Sequence, residues 1–200
     1  MSEEEKYKKI LYRYLPQNSV DDLFLLLKKY EVHLKITKSR QTKLGDYRAP
    51  FEGKGHRITV NGDLNKYEFL LTLLHELAHL QTHIEYGNKA KPHGKEWKTT
   101  FRDLLFKLAE KDIFPPEIKQ QIQEVFFSKS GFSINALDEL RLKLSSYSNK
   151  NILRVQDLKP GTVFTLTTGR TFRLAEKIRK RFRCVELSSK RTFSVHPLAE

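Results

Sequence analysis

Residues 66–86, KYEFLLTLLHELAHLQTHIEY, are the part of this 200-residue chain that decides how the rest can fold. Apolar residues dominate the central run from Phe69 to Leu80, and their spacing predicts a helix that is buried on most of its surface. Three polar side chains, those of His75, Glu76 and His79, interrupt this run. Because burial of polar groups without partners is costly, the pattern indicates that these three residues form a site.

The spacing His-Glu-x-x-His has a direct chemical meaning on a helix. Residues four apart lie one above the other, so His75 and His79 can each offer a ring nitrogen to one metal ion. Glu76 lies about 100° round the helix from His75, within reach of a metal-bound water but outside the ligand set. Zinc accepts imidazole ligands and keeps one position open for water. Chance would produce this motif roughly 0.02 times in a chain of this composition, which favours a zinc site.

A third protein ligand is required, and the sequence offers two histidines for it. His83 continues the same helix, but three ligands in a line along one straight helix make poor tetrahedral geometry. His93 follows the break at Gly87-Asn88 and Pro92, where the chain can turn back towards the metal. This geometry favours His93 over His83.

The remaining pattern predicts an α+β fold in two parts. Residues 1–150 form a helix-rich domain around a small sheet, and residues 151–200 form a small all-β module after a polar, turn-rich stretch at 145–151. The predicted helices span 5–15, 19–30, 66–86, a segment after 93–94, 115–127 and 134–144. The predicted strands span 32–36, 45–47, 57–60, 161–167, 170–175, 181–187 and 191–195.

Positive charge is concentrated in the last quarter of the chain. The net charge is +13, and residues 151–200 contain 11 Lys and Arg against 4 Asp and Glu. Its densest run interleaves an aromatic residue with cations, a composition typical of a phosphate-contacting surface. The alternative is a solubilising edge on a small sheet. The candidate nucleic-acid-binding residues are Lys177, Arg179, Lys180, Arg181 and Arg183.

Composition also excludes some classes of protein. A single cysteine, Cys184, rules out an intramolecular disulfide and a Cys-rich zinc cluster. The sequence starts MSEEEKYKKI, without the apolar region of a secretory signal, and its most apolar run is too short to span a bilayer. We therefore expect a cytoplasmic protein without a membrane partner.

Two segments together resemble a known family. The segment His75–Leu80, followed by Pro92–Trp97, resembles the SprT-like family of zinc metallopeptidases, the relatives of Spartan. Ser39-Arg40 and Leu44–Tyr47 fit the same family upstream of the helix. The resemblance covers about residues 20–110.

The resemblance implies a minimal zincin-like domain that hydrolyses peptide bonds. It implies one zinc ion per chain, held by His75, His79 and His93, with Glu76 as the general base. Spartan acts on DNA–protein crosslinks, so the implied substrates are proteins associated with nucleic acid, and DNA is an implied partner. The alternative is a basic nucleic-acid-binding protein whose metal site is structural or degenerate.

Two further details remain open at the level of sequence. No oxyanion-stabilising side chain can be assigned, and Tyr47 and Tyr86 are the two possibilities. Many SprT relatives end in a cysteine zinc ribbon, and residues 182–187 with 190–193 resemble half of such a ribbon without its metal ligands. Cys184 would be the one remaining cysteine, so we expect the module to fold on apolar packing.

Overall fold

The chain divides into two compact units, Met1–Ser148 and Asn149–Glu200. The computed structural model describes residues 1–40, 42–126, 134–147, 153–166, 168–179, 181–197 and 199. Within these ranges the first unit combines helices with a small sheet, and the second contains a separate antiparallel sheet. The predicted α+β fold class is confirmed.

The first unit contains six described helices and three strands. Each sequence-predicted helix is present, with bounds shifted by at most a few residues. The elements are α1 Glu3–Tyr14, α2 Val20–Lys29, β1 His33–Thr37, β2 Gly45–Arg48, β3 Arg57–Asn61, α3 Lys66–Tyr86, α4 Lys95–Ala109, α5 Pro116–Phe126 and α6 Ile134–Ser145.

Helix α3 begins at a capping box. The Asn65 side chain accepts hydrogen bonds from the backbone N–H groups of Tyr67 and Glu68, both at 3.0 Å, and the Glu68 carboxylate accepts one from the Asn65 N–H. Asn65 Nδ2 also donates to the Leu144 carbonyl at 2.8 Å. The same residue therefore starts α3 and attaches the end of α6 to it.

Helix α3 is the centre of the first unit. It packs against β2, β3, α1, α4 and α6, and its apolar residues are buried round most of the helix. A helix that is apolar on nearly all sides belongs inside a core. Its fully buried apolar residues are Phe69, Leu70, Leu71, Leu73, Leu74, Leu77, Ala78 and Leu80.

The three-stranded sheet has the order β1-β3-β2. Strand β1 pairs parallel with β3, and β2 pairs antiparallel with β3, with Gly45 opposite Val60. Ile58 and Val60 of the central strand are fully buried beside α3. Strands β1 and β2 are therefore the edge strands, and β2 contacts α3 directly.

The segment before β2 is fixed by a buried asparagine. Asn61 Nδ2 donates to the carbonyls of Arg40 and Lys43, both at 3.2 Å, and Asn61 Oδ1 accepts from Arg40 Nε at 2.9 Å. Asn61 is 1% exposed. These bonds satisfy a buried amide and set the position at which β2 starts.

The second unit contains a four-stranded antiparallel sheet in the order β4-β5-β6-β7. Its strands are β4 Val163–Thr165, β5 Thr171–Ile178, β6 Arg181–Glu186 and β7 Thr192–Val195. Alternate residues of these strands form a small core that includes Phe172, Leu174, Phe182, Cys184 and Val195. Cys184 is a free, buried thiol in that core. Among the described residues of both units, no helix combines the length and hydropathy needed to cross a membrane.

Candidate metal centre

Three histidines of the first unit converge on one point. His75 and His79 lie one turn apart on α3, and His93 lies in the loop before α4. The Nε2 atoms are separated by 3.2 Å between His75 and His79, 3.1 Å between His79 and His93, and 3.0 Å between His93 and His75. The loop brings His93 into place with a positive φ of 58°.

This triangle has the dimensions of a zinc ligand set. Tetrahedral coordination with Zn–N bonds of about 2.0–2.1 Å separates two imidazole nitrogens by about 3.3 Å. Each neutral imidazole has a single N–H, so three Nε2 atoms this close present more lone pairs than protons at their centre. A cation fits that centre. Among the described residues, this is the one cluster of histidine, cysteine or acidic side chains with ligand atoms close enough to share an ion.

Burial keeps the three imidazoles in the neutral form that ligates metals. Removal from water lowers the pKa of His75 to about 2, with smaller contributions from the charges of Arg141, His79 and His93. Burial, followed by the charge of His93, lowers the pKa of His79 to about 4. Burial and then Arg141 also lower the pKa of His93. At neutral pH the cluster is therefore uncharged and ready to bind a cation.

The ring of Trp97 on α4 packs against all three imidazole rings of the histidine cluster. Its ring centroid lies 4.7, 5.3 and 4.6 Å from those of His75, His79 and His93, and it is fully buried. Trp97 also stacks on Phe101 at 5.1 Å with an interplanar angle of 8°. The buried apolar residues of α4 thus pack in the core, and Trp97 among them also contacts the imidazole rings.

Glu76 lies against strand β2, one residue after His75. Its side chain is confined closely, because a Cβ atom added to Gly45 would lie 2.6 Å from Glu76 Oε1 and 2.9 Å from its Cγ. The Tyr47 backbone N–H donates to the Glu76 carboxylate. Only glycine at position 45 lets the carboxylate approach the strand this closely.

The buried position changes the acidity of Glu76. Burial, and then the negative charge of Asp46, raise the pKa of its carboxyl to about 7, against opposing effects of Arg141, the Tyr47 N–H and Arg40. A carboxyl with a pKa near neutrality can both accept and release a proton at physiological pH.

A cavity of about 280 Å³ opens beside the histidine cluster. The Tyr47 hydroxyl lies 3.0 Å from His56 Nδ1, and burial raises the pKa of Tyr47 to about 12, so the phenol stays protonated. Tyr86, the other tyrosine considered from the sequence, is 39% exposed at the end of α3 and does not line this cavity. The lining includes Tyr47, His79, Thr82, His83, Lys91 and Trp97.

His83 has a different environment from the three converging histidines. Its ring centroid lies 6.1 Å from that of Tyr47 and 6.4 Å from that of His56. Its position eight residues beyond His75 places it further along α3, where it lines the cavity. The structure therefore brings His93, and not His83, to His75 and His79.

The basic residues of the second unit lie on its surface. Lys177, Arg179, Arg181 and Arg183 are exposed, and Lys180 lies outside the described residues. Arg183 pairs with Glu176, and an Arg181 Nη2 donates to the Ser194 carbonyl at 3.1 Å. The interleaved aromatic residue, Phe182, is only 7% exposed and belongs to the core, so its ring is not presented on this surface.

Two features of the site were missed in the sequence. Gly45 belongs to a sequence motif, but the motif alone does not indicate that this residue determines how close Glu76 comes to β2. Nothing in the local pattern around Arg141 of α6 connects it with a histidine motif more than sixty residues earlier. Only the packing of α6 on α3 could have revealed it.

The segment of the chain that matches a family model contains the histidine cluster. The model of the SprT-like family matches residues 13–113, half of the chain, and the chain belongs to the SprT-like family. The matched segment includes all three converging histidines and Glu76. SprT-like membership is generally linked to metallopeptidase-like function. A comparison with curated proteins and one with solved structures each returned no match.

We expect the purified chain to bind one zinc ion, and His93→Ala to lose it. His93 supplies one of three converging nitrogens, so its removal leaves an incomplete ligand set. His83→Ala is the matched control and should retain the metal. Zinc per chain, measured by atomic absorption after dialysis, checks this. Equal zinc contents in the two variants would contradict the assignment.

We expect Glu76→Gln to stabilise the metal-free protein more at pH 8 than at pH 5. The pKa of Glu76 is raised to about 7 in the folded chain from its ordinary value of 4.5. The carboxyl's contribution to stability is therefore present at low pH and lost as the pH rises through 7. The extra gain at pH 8 should be about 1–3 kcal/mol in urea unfolding. Exposed Glu85→Gln should show no such difference, and an equal effect at both pH values would disprove the burial argument.

Proposed function

We propose that the first unit is a zinc-dependent endopeptidase that hydrolyses peptide bonds in protein substrates. The observation that carries this proposal is the convergence of three neutral imidazole nitrogens within 3.2 Å of one another. The carboxylate of Glu76, the residue after His75 in the sequence, is held against strand β2. His75, His79 and His93 would hold the metal. A bound zinc ion supplies Lewis acidity and a water of lowered pKa at the open position.

Glu76 acts as the general base and then the general acid. Its carboxylate accepts the proton of the attacking water and later gives it to the nitrogen of the leaving amine. A pKa of about 7 suits both transfers, since neither protonation state is strongly disfavoured at neutral pH. Gly45 and the Tyr47 N–H hold the carboxylate in one orientation throughout.

Strand β2 supports an extended peptide as the substrate. It is one of the two edge strands of the sheet and the one that lies beside Glu76, and edge strands bind extended peptides by backbone hydrogen bonds. The Tyr47 hydroxyl, kept protonated by burial, provides a hydrogen-bond donor in the adjacent cavity. An unfolded protein segment fits this arrangement better than a small, compact substrate.

Glu76→Gln should keep zinc and lose cleavage of an unfolded protein such as casein by about 10²–10⁴-fold, because the amide cannot accept the proton. Glu85→Gln on the exposed face of α3 should cleave at the normal rate. Zinc content and rate are measured on the same preparations. A zinc-loaded Glu76→Gln protein that cleaves at the normal rate would overturn the mechanism, and a zinc-loaded wild type that cleaves nothing would favour a structural metal site.

Gly45→Ala should lower the cleavage rate about 10–100-fold with zinc retained. The added methyl group would lie 2.6 Å from Glu76 Oε1 and push the carboxylate out of place, and small displacements of a catalytic group have effects of this size. Gly55→Ala is the matched control, because its Cβ would meet nothing closer than 3.9 Å. Full activity in Gly45→Ala would show that the close approach is unimportant.

A second candidate function concerns the second unit, for which we propose nucleic-acid binding. Its strands β5 and β6 carry buried apolar residues and exposed cations, which include Arg173, Lys177 and Arg181. Arg179 is exposed just after the end of β5. Arg183 contributes less free charge because it pairs with Glu176. The predicted role of Lys180 concerns a residue outside the described ranges. DNA-associated proteins would then be the substrates delivered to the first unit.

Replacing Lys177, Arg179 and Arg181 together by Gln should weaken duplex DNA binding and lower the slope of log affinity against log salt by about 3, since each phosphate contact contributes about 0.9. The matched control replaces Lys159, Lys190 and Arg191, which are exposed elsewhere on the same unit. Affinity is measured by fluorescence anisotropy between 50 and 200 mM salt. Equal losses in both triple variants would indicate nonspecific attraction, and no loss in either would reject the surface.

A further inference from the structure

Tyr47 contributes two groups to the surroundings of the histidine cluster, one from its backbone and one from its side chain. Its backbone N–H donates to the Glu76 carboxylate. Its side chain lines the cavity of about 280 Å³ that His79 also lines. This one residue of β2 therefore connects the proposed general base with the cavity beside the metal centre.

The register of the sheet directs the Tyr47 side chain towards α3. Tyr47 lies opposite Ile58 of β3, and Ile58 is fully buried beside α3. Gly45, two residues earlier on the same face of β2, approaches Glu76. His56 lies two residues before Ile58 and so is diagonal to Tyr47, a position from which long side chains on one face of a sheet can meet.

Three rings meet where this face of the sheet approaches the second half of α3. The Tyr47 hydroxyl lies 3.0 Å from His56 Nδ1, and the two rings are stacked with centroids 6.0 Å apart. The ring centroid of His83 lies 6.1 Å from that of Tyr47 and 6.4 Å from that of His56. Since His83 follows His79 by about one helical turn, these rings lie close to a ligand of the metal centre.

The contact between Tyr47 and His56 leaves the phenol able to form a further hydrogen bond. Burial, and then the charge of His83, lower the pKa of His56, so its ring is neutral at pH 7 and has a single N–H. When Nδ1 carries that proton, it donates to the Tyr47 oxygen and leaves the phenol proton free to point into the cavity. Two hydrogen bonds in the same direction also strengthen one another.

We propose that Tyr47 and His56 form a peptide-binding pair, in which the Tyr47 hydroxyl donates to a backbone carbonyl oxygen of an extended substrate. Tyr47 contacts the substrate, and His56 is a positioning residue that orients the hydroxyl. The proposal rests on the peptidase function proposed above. A peptide that pairs with the free edge of β2 presents backbone carbonyls beside this strand. The group recognised is therefore the peptide backbone and not a particular side chain.

The other donors in the cavity fit this role less well. Thr82 is 5% exposed, and its hydroxyl lies 3.5 Å from the Thr100 hydroxyl. Lys91 is an exposed side chain on the loop before α4. Tyr47 combines a half-buried ring with a fixed hydrogen-bond partner. A hydroxyl that is already held in place loses little conformational entropy when it binds a ligand.

The first experiment measures the affinity of the zinc-loaded Glu76→Gln protein for a fluorescein-labelled casein peptide, so that no turnover occurs. Tyr47→Phe in this protein keeps the ring and removes the hydroxyl. We expect it to weaken binding about 5–20-fold, the effect of one hydrogen bond in a partly buried site. Tyr86→Phe is the matched control, because Tyr86 is 39% exposed and does not line the cavity. Equal affinities in the two variants would overturn the proposal.

The second experiment tests whether His56 acts through Tyr47. His56→Phe should weaken binding by a similar factor, and exposed His33→Phe is the matched control. His56→Asn should bind within threefold of the parent, because its amide nitrogen can donate in place of Nδ1. In the Tyr47→Phe protein, His56→Phe should cause no further loss. Losses that multiply, or no recovery in His56→Asn, would overturn the positioning role.

Kinetics in the otherwise wild-type chain separate substrate binding from a structural effect. Tyr47→Phe should raise KM by the same factor as the loss of affinity and change kcat less than threefold, since the hydrogen bond acts equally in ground state and transition state. A fall in kcat with unchanged KM would contradict this role. If His56→Phe does not fold, His56→Leu takes its place with the same expected loss.

The binding measurement also lets this proposal and the peptidase proposal fail separately. A zinc-loaded wild type that cleaves nothing would overturn the function, whereas selective loss of affinity in Tyr47→Phe would still support the pair as a peptide-binding site. A Glu76→Gln protein that binds no peptide at millimolar concentration would overturn the pair, whatever the activity of the wild type.

Discussion

The first unit depends on the burial of α3 between the sheet and the surrounding helices. An apolar helix packed on nearly every side fixes His75, Glu76 and His79 without freedom to rotate away. The same burial holds the imidazoles neutral and brings the pKa of Glu76 close to neutrality. Packing energy and site chemistry therefore have a common origin: the leucines that stabilise the helix also exclude the water that would otherwise set the acidity of its polar residues.

The sequence predicted the helices well because hydrophobic periodicity and composition depend on residues that are close together along the chain. Helix α3 has the predicted limits, Lys66–Tyr86, since both its capping asparagine and its terminal glycine are visible in the sequence. Ser19 shows the limit of such signals. It is the residue type that caps helices, but its hydroxyl donates to the Pro16 carbonyl and does not cap α2. The contacts that matter most for the site, between Gly45 and Glu76 and between α6 and α3, join distant segments and leave no periodic trace.

The two units differ in the size and arrangement of their apolar cores. The first surrounds one helix with a large apolar cluster. In the second, the described residues include a core of six buried side chains, Cys184 among them, and an exposed surface rich in cations. The described part of the second unit contains no cluster of metal ligands.

The backbone of His93 illustrates a conflict between folding and chemistry. Its φ of 58° lies in the left-handed region of backbone conformation. Glycine and asparagine adopt this conformation at a lower free-energy cost than most residues with larger side chains. A sequence optimised for folded-state stability alone would accept glycine there and gain from it. Redesign of this loop for stability would then yield a more stable protein in which His75 and His79 lack the third converging imidazole. Any computational redesign of this fold must therefore keep histidine at position 93, even though the backbone energy alone favours glycine there.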